Sequence, residues 1–177
     1  MAAVAPVLTS DAQLKNWFSG LAEQTFEVEY GIADPPLIDY LSDMLVRFVR
    51  LDAVFAIRDE VGRRLDQVVD MLREAEFREA EPRREVHRHI GDFTLFWTGV
   101  YPEGLLQLKQ LDRPDCWVNY TETGKRCYLI ASEYTDEPHR EEAQVLRRLS
   151  RQYDTCREGL YHIRHEWDSR PPQRRAA

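Results

Sequence analysis

The stretch HRHIGDFTLFWTGVYPEG, residues 87–104, decides the fold class of this chain. It begins with two histidines and a carboxylate and then becomes one of the most apolar and aromatic runs of the sequence. Its apolar side chains follow the period of an α-helix. This period predicts a helix that restarts at Pro82, continues to about Tyr101 and is stopped by Pro102.

Helical periods and capping residues recur before this stretch. Ser10 and Asp11 can cap a first helix that continues to about Glu23. Asp34, followed by two prolines, is typical of the start of a second helix. Asp59 is expected to cap a third helix whose inner face would comprise Val61, Leu65, Val68, Val69 and Leu72.

The segment DCWVNYTETGKRCYLIASEY, residues 115–134, is ambiguous between two structures. Its two apolar runs around TETG are compatible with a β-hairpin, or with two short helices broken at Gly124. We favour helices, because a lone hairpin is only marginally stable and no other strand partner is evident.

The clearest period lies near the end of the chain and predicts one long helix from about His139 to Asp168. Its apolar positions alternate spacings of three and four, as in the seam of a coiled coil: Leu146, Leu149, Tyr153, Cys156, Leu160, Ile163 and Trp167. The sequence therefore predicts an all-α, single-domain multi-helix bundle over residues 10–168, with a long C-terminal helix. A flexible N-terminus (1–9) and a disordered tail (169–177) are expected on either side.

Composition narrows the functional classes. A chain of 177 residues with 43% apolar and 31% charged residues can bury one substantial core. Its net charge of −7 disfavours binding to nucleic acid or to an anionic membrane surface. No run reaches the roughly 18 to 20 apolar residues of a membrane span, and the opening MAAVAPVLTS lacks the features of a signal peptide.

Cysteine usage indicates a reducing compartment. Cys116, Cys127 and Cys156 are odd in number, widely spaced and without a CxxC pair. Neither a disulfide framework nor a zinc site is indicated, and a cytoplasmic location fits best.

Glu85, His89 and Asp92 are the best candidates for a binding site, because spacings of four and three put them on one helical face. In one interpretation they bind a small ligand or a divalent metal, with Phe93, Phe96, Trp97 and Tyr101 as apolar walls. In the other, Glu85 pairs with His89 and Arg88 pairs with Asp92 on a partly solvated helix. The apolar flanks of Asp92 require a charged partner, a proton or a bound cation. His87 and His89 diverge by about 200° on a helix and are not expected to chelate one ion.

The words IGDFTLFWTGVYPE, GKRCYLIASE and PPLIDYLSDMLVRFV together resemble a pattern of uncharacterised bacterial all-helical proteins. The matching positions in this chain are Gly91, Asp92, Leu95, Phe96, Gly99, Pro102, Glu103, Tyr40, Leu41, Leu45, Gly124 and Tyr128. The resemblance covers roughly residues 35–133. It implies a helical fold and no known activity.

No catalytic signature is present, so the leading hypothesis is a non-enzymatic helical interaction module without a cofactor. Leu160, Ile163 and Trp167 lie at the end of the long helix and are expected to form a homodimer interface, because that end would project past its own core. Alternatively, the first helix covers it through Trp17 and Phe18. The rival hypotheses are the small-ligand or metal-binding bundle and an enzyme that uses Asp92 as a buried acid or base.

Overall fold

The fold consists of nine α-helices and three short helical segments within residues 10–169, the part of the chain that the computed structural model describes. The α-helices are α1 (Asp11–Glu23), α2 (Pro35–Phe48), α3 (Leu51–Val54), α4 (Val68–Phe77), α5 (Ala80–Leu95), α6 (Pro102–Leu108), α7 (Tyr120–Ala131), α8 (Arg140–Arg151) and α9 (Tyr153–Ser169). Two π-helical segments (Gln24–Glu29 and Phe96–Val100) and a 3-10 turn (Pro114–Trp117) complete the set. These residues contain no strand, which confirms the all-α class. The expectations for 1–9 and 170–177 lie outside the described residues.

Side chains from the adjoining sequence cap the start of three of the helices. The Ser10 hydroxyl accepts the backbone N–H of Gln13 at 3.3 Å, and Asp34 accepts that of Leu37 at 3.3 Å. Both caps are those that the sequence predicts. Asn119 starts α7 in the same way, with 3.1 Å between its side-chain oxygen and the Glu122 nitrogen.

The third predicted helix begins later than expected. Asp59 does accept backbone N–H groups, from Val61 and Arg63, but these bonds close a turn in which Gly62 has a φ of +83°. Val61 is exposed, and residues 60–67 are not helical. The helix starts instead at Val68. Asp59 was wrongly predicted as a helix cap, because Asx turns and N-caps use the same side-chain bond.

The segment after Pro114 is helical, as favoured, but its internal break was wrongly placed. Gly124 lies in the middle of α7 and does not end a helix. A Cβ at this position would lie 2.2 Å from the Thr94 hydroxyl oxygen and 2.6 Å from that of Tyr153. Glycine is therefore required here for close packing, a role that looks the same as a helix stop in the sequence.

The predicted helix from His139 to Asp168 is two helices. Gln152 leaves the helical conformation with φ −105° and ψ 20° and separates α8 from α9. The spacing of three and four continues across this break, from Leu149 to Tyr153 and Cys156. Because both helices bury the same seam, the period alone could not reveal the interruption. The second of the two, α9, is the long final helix of the fold.

Helix α5 is the centre of the bundle. Every residue from Arg84 to Phe96 is buried except Glu85 and Arg88. α4 and α7 pack against α5, the π-helical segment that follows it packs against α9, and α1–α2 and α7–α8 form further pairs. No helix among the described residues combines the length and apolarity that crossing a membrane would require.

Candidate functional site

The carboxylate of Asp92 joins three helices. It is fully buried on α5, and its Oδ1 accepts hydrogen bonds from the hydroxyls of Tyr40 on α2 at 2.8 Å and Tyr128 on α7 at 2.7 Å. Its Oδ2 accepts one from Arg47 on α2 at 3.0 Å. Arg88, one turn earlier on α5, lies 3.6 Å from the same oxygen. The predicted Arg88–Asp92 pair is therefore present as part of a larger polar cluster.

The electrostatics of this cluster keep Asp92 ionised. Burial alone would raise the pKa of Asp92, but Arg47, Arg88 and the two tyrosine hydrogen bonds together lower it below its usual value. Burial and the charge of Asp92 raise the pKa values of Tyr40 and Tyr128 well above 10. The carboxylate accepts three hydrogen bonds and has no exposed surface, so a substrate cannot reach it in this conformation. The arrangement is suited to holding helices together rather than to acid or base catalysis.

Glu85 and His89 lie on the same helix as Asp92 but have partners of their own. Glu85 forms ion pairs with Arg84 at 2.5 Å and with Arg88 at 2.7 Å, not with His89 as the pairing interpretation expects. The His89 Nε2 atom lies 3.0 Å from the carbonyl oxygen of Val54, so this nitrogen carries the proton. Burial lowers the pKa of His89 to about 4. Within residues 10–169 no group of three or more His, Cys, Asp or Glu side chains is arranged to hold a metal.

The four aromatic residues expected to wall a ligand site pack mainly on one another. Phe96 lies 5.3 Å from Trp97 and 5.5 Å from Tyr101, and Phe93 lies 6.2 Å from Trp97, measured between ring centroids. The guanidinium of Arg164 on α9 lies 3.8 Å from the centroid of Tyr101. These rings therefore fill the core beside α9.

The residues predicted to form a dimer interface are covered within one chain. Leu160 and Ile163 are buried, and the ring of Trp167 lies 5.3 Å from Phe18 and 6.1 Å from Trp17 of α1. The premise that this end of α9 projects past its own core does not hold. The structure has the alternative arrangement, in which the first helix folds back over it.

Asp115 is a buried carboxylate that the sequence argument missed. It accepts hydrogen bonds from the backbone nitrogens of Val68 at 2.6 Å and Val69 at 2.9 Å, and from the Tyr120 hydroxyl at 2.5 Å. It therefore caps the N-terminus of α4 from a distant segment. The only local feature of the sequence that pointed to this cap was an aspartate directly after Pro114. Gln67 supports it by accepting the backbone N–H of Asp115 at 3.0 Å.

His87 lies in a different environment from His89, whose ring is hydrogen-bonded to the backbone. His87 is 5% exposed, and neither of its ring nitrogens has a hydrogen-bond partner among the described residues. A buried polar group without a partner is uncommon and calls for an explanation.

A groove of about 520 Å³ opens where α6, the 3-10 turn and the start of α7 meet. Leu105, Val118 and Tyr120 contribute apolar lining, and Lys109 and Arg157 contribute positive charge. Trp117 lines the same groove and is 86% exposed.

Comparison of the chain with known protein families, with curated proteins and with solved structures finds no match. The resemblance to bacterial helical proteins remains a prediction.

Proposed function

We propose that this chain is a non-enzymatic helical interaction module that self-associates through the face around Trp117. One observation carries the proposal. Of the four tryptophans, Trp17, Trp97 and Trp167 pack against other aromatic rings, whereas Trp117 is 86% exposed. Large aromatic side chains dominate the energetics of interfaces.

Two further large apolar side chains close to Trp117 in sequence are exposed. In the segment between the start of α6 and the 3-10 turn, Leu106 is 78% and Leu111 is 85% exposed. Single exposed apolar residues are ordinary, but three large ones within twelve residues of sequence, one of them lining a groove, favour a docking surface.

A second copy of the chain is the partner that this face fits best. A twofold dimer requires a surface that is complementary to itself. Here the exposed Trp117 and a groove of mixed polar and apolar lining share one face, so each copy can offer its Trp117 to the groove of the other. The charges are also self-complementary: Lys109 lines the groove and the exposed Asp112 lies in the adjacent loop, so each could pair with the other in a second copy.

The polar interior supports a binding role rather than catalysis. The oxygens of Asp92 and Asp115 are occupied by structural hydrogen bonds. Burial raises the pKa values of the Cys127 and Cys156 thiols to about 12, which leaves them poor nucleophiles at neutral pH. All three cysteines are free, in keeping with a module of the reducing cytoplasm.

Light scattering on a sizing column tests the proposal. At tens of micromolar protein we expect a mass of about twice the 20.9 kDa of one chain. Trp117→Ser should give the monomer, because it removes the main apolar anchor. Phe77→Ser is the matched control: Phe77 is 77% exposed and does not line the groove, so this variant should remain a dimer. A monomeric parent protein at these concentrations, or a Trp117→Ser variant that still dimerises, would refute the proposal.

A further inference from the structure

A second cavity, of about 280 Å³, lies between α4, α5 and α7. Leu72 and Ala75 of α4 and Ile130 of α7 form an apolar wall. His87 lines the cavity from α5 and is 5% exposed. The volume lies just below the usual range for small-molecule sites, about 300 to 1,000 Å³, and therefore suits a small ligand.

The imidazole of His87 is a buried polar group that lines this cavity. Neither its Nδ1 nor its Nε2 bonds to any described residue, although both atoms are buried. A buried hydrogen-bonding group without a partner destabilises the folded protein. A ligand that bonds to the imidazole would remove this cost.

Two arginines line the same cavity from different helices. Arg83 lies one turn before His87 on α5, and Arg126 lies on α7. Neither forms an ion pair or a hydrogen bond with a residue of the described part of the chain. Their neighbours Arg84 and Arg88, by contrast, are held by carboxylates. The cavity therefore has two guanidinium groups whose hydrogen-bond donors are uncommitted.

The remaining charged or titratable group on each element is compatible with an anion. Glu76 of α4 also lines the cavity, but it is exposed and brings one negative charge against the two positive charges of the arginines. The Cys127 thiol of α7 is neutral, since burial raises its pKa to about 12. The Thr123 hydroxyl of α7 adds one further donor.

We propose that this cavity binds a small organic anion whose carboxylate or phosphate group lies between His87, Arg83 and Arg126. Arginine presents planar pairs of N–H donors that match both oxyanions. The apolar wall would contact the body of the ligand. The proposal does not depend on self-association, because none of these residues lines the Trp117 groove.

The titration of His87 gives a direct signal of binding. Burial and the charges of Arg83 and Arg126 lower its pKa to about 4. An anion in contact with the imidazole stabilises the protonated form, so the pKa should rise when the cavity is filled. Two-dimensional NMR of the imidazole carbons follows this pKa, and the resonance of His87 is identified by its absence from His87→Phe.

Benzoate and phenyl phosphate are suitable probes, since each joins an oxyanion to an apolar body of the size that the cavity takes. We expect saturable binding at millimolar concentration or below and a rise in the pKa of His87. The probe that binds more tightly identifies the head group. Arg126→Gln should weaken binding about tenfold to a hundredfold, the effect of losing one charged hydrogen bond.

Two further variants complete the test. Arg151→Gln makes the same change in charge at an exposed position of α8 away from the cavity, and should leave binding unchanged. His87→Phe should abolish binding yet raise the melting temperature, because it replaces an unpartnered polar group with an apolar one. Two results would overturn the proposal: no response of His87 to either probe at tens of millimolar, or binding that survives Arg126→Gln at full strength.

Discussion

Asp92→Ala should lower the free energy of unfolding by about 3 to 5 kcal/mol, the cost of removing one member of a buried ion pair. The substitution leaves the hydroxyls of Tyr40 and Tyr128 without their acceptor, and each such group costs about 1 to 3 kcal/mol when buried. Arg47 and Arg88 lose a carboxylate as well, but both side chains are partly exposed, so water compensates much of that loss.

Two further variants separate the contributions. Asp92→Asn keeps an oxygen that can accept from the tyrosines but presents an amide donor towards Arg47, so we expect about half the cost of alanine. Tyr128→Phe removes one of the hydroxyls that Asp92→Ala leaves unpaired. The double variant should therefore be less destabilised than the sum of the single ones, by about 1 kcal/mol or more.

Urea denaturation followed by circular dichroism measures these differences. For a chain of this length, a loss of about 4 kcal/mol corresponds to a decrease of about 8 to 16 °C in melting temperature. Asp43→Ala is the control: Asp43 lies on α2 and pairs with Lys15 at 2.6 Å, but it is exposed, and its loss should cost less than about 1 kcal/mol. Equal stabilities of the Asp92→Ala and Asp43→Ala variants would show that the buried cluster does not stabilise the fold.

Three other measurements test the packing and the buried titratable groups. Gly124→Ala should lower the free energy of unfolding by about 1 to 3 kcal/mol, because a Cβ there would lie 2.2 Å from a hydroxyl oxygen. Gly20→Ala is the control: a Cβ there has nothing within 4 Å, so the variant should stabilise α1 by about 0.5 to 1 kcal/mol. Equal effects of the two substitutions would contradict this packing. Lowering the pH from 7 to 5 should reduce the free energy of unfolding by about 2 kcal/mol for each of His87 and His89. The pKa values of both histidines in the folded protein are about 4, below the ordinary 6.5, so over this range only the unfolded chain binds the protons. This loss is measured by urea denaturation at each pH, and His89→Asn should reduce it. Before unfolding, a thiol reagent should modify Cys116 alone, since the other two thiols are buried; three fast-reacting thiols would contradict the structure.

Local chemistry explains which parts of the fold could be predicted. The caps at Ser10 and Asp34 depend on neighbours three residues away, so the sequence contains them completely. The Arg88–Asp92 pair follows from helical spacing in the same way. The fold class can be predicted for the same reason, because it depends on the spacing of apolar residues along the chain.

Contacts between distant segments explain what could not be predicted. Asp115 caps α4 from a position 47 residues beyond Val68, and no local pattern links the two. The His87 cavity depends on three helices at once. Trp167 is covered by Trp17, which lies near the other end of the described chain. Nothing local to Trp167 indicates this cover, so the sequence suggested an interface instead. Each of these requires knowledge of which helices are neighbours.

The residues on which the predicted resemblance rests have a physical role that the same neighbours explain. Asp92 bonds to Tyr40 and Tyr128, and a Cβ on Gly91 would lie 2.6 Å from the ring of Tyr128, so glycine is what lets that ring reach the carboxylate. Gly124, on the same helix as Tyr128, allows an equally close approach of α5. The motif thus specifies how α2, α5 and α7 are joined. Because these residues are occupied in holding the bundle, we expect sites that bind other molecules to be built from residues outside the motif, as in the sites that we propose at His87 and Trp117.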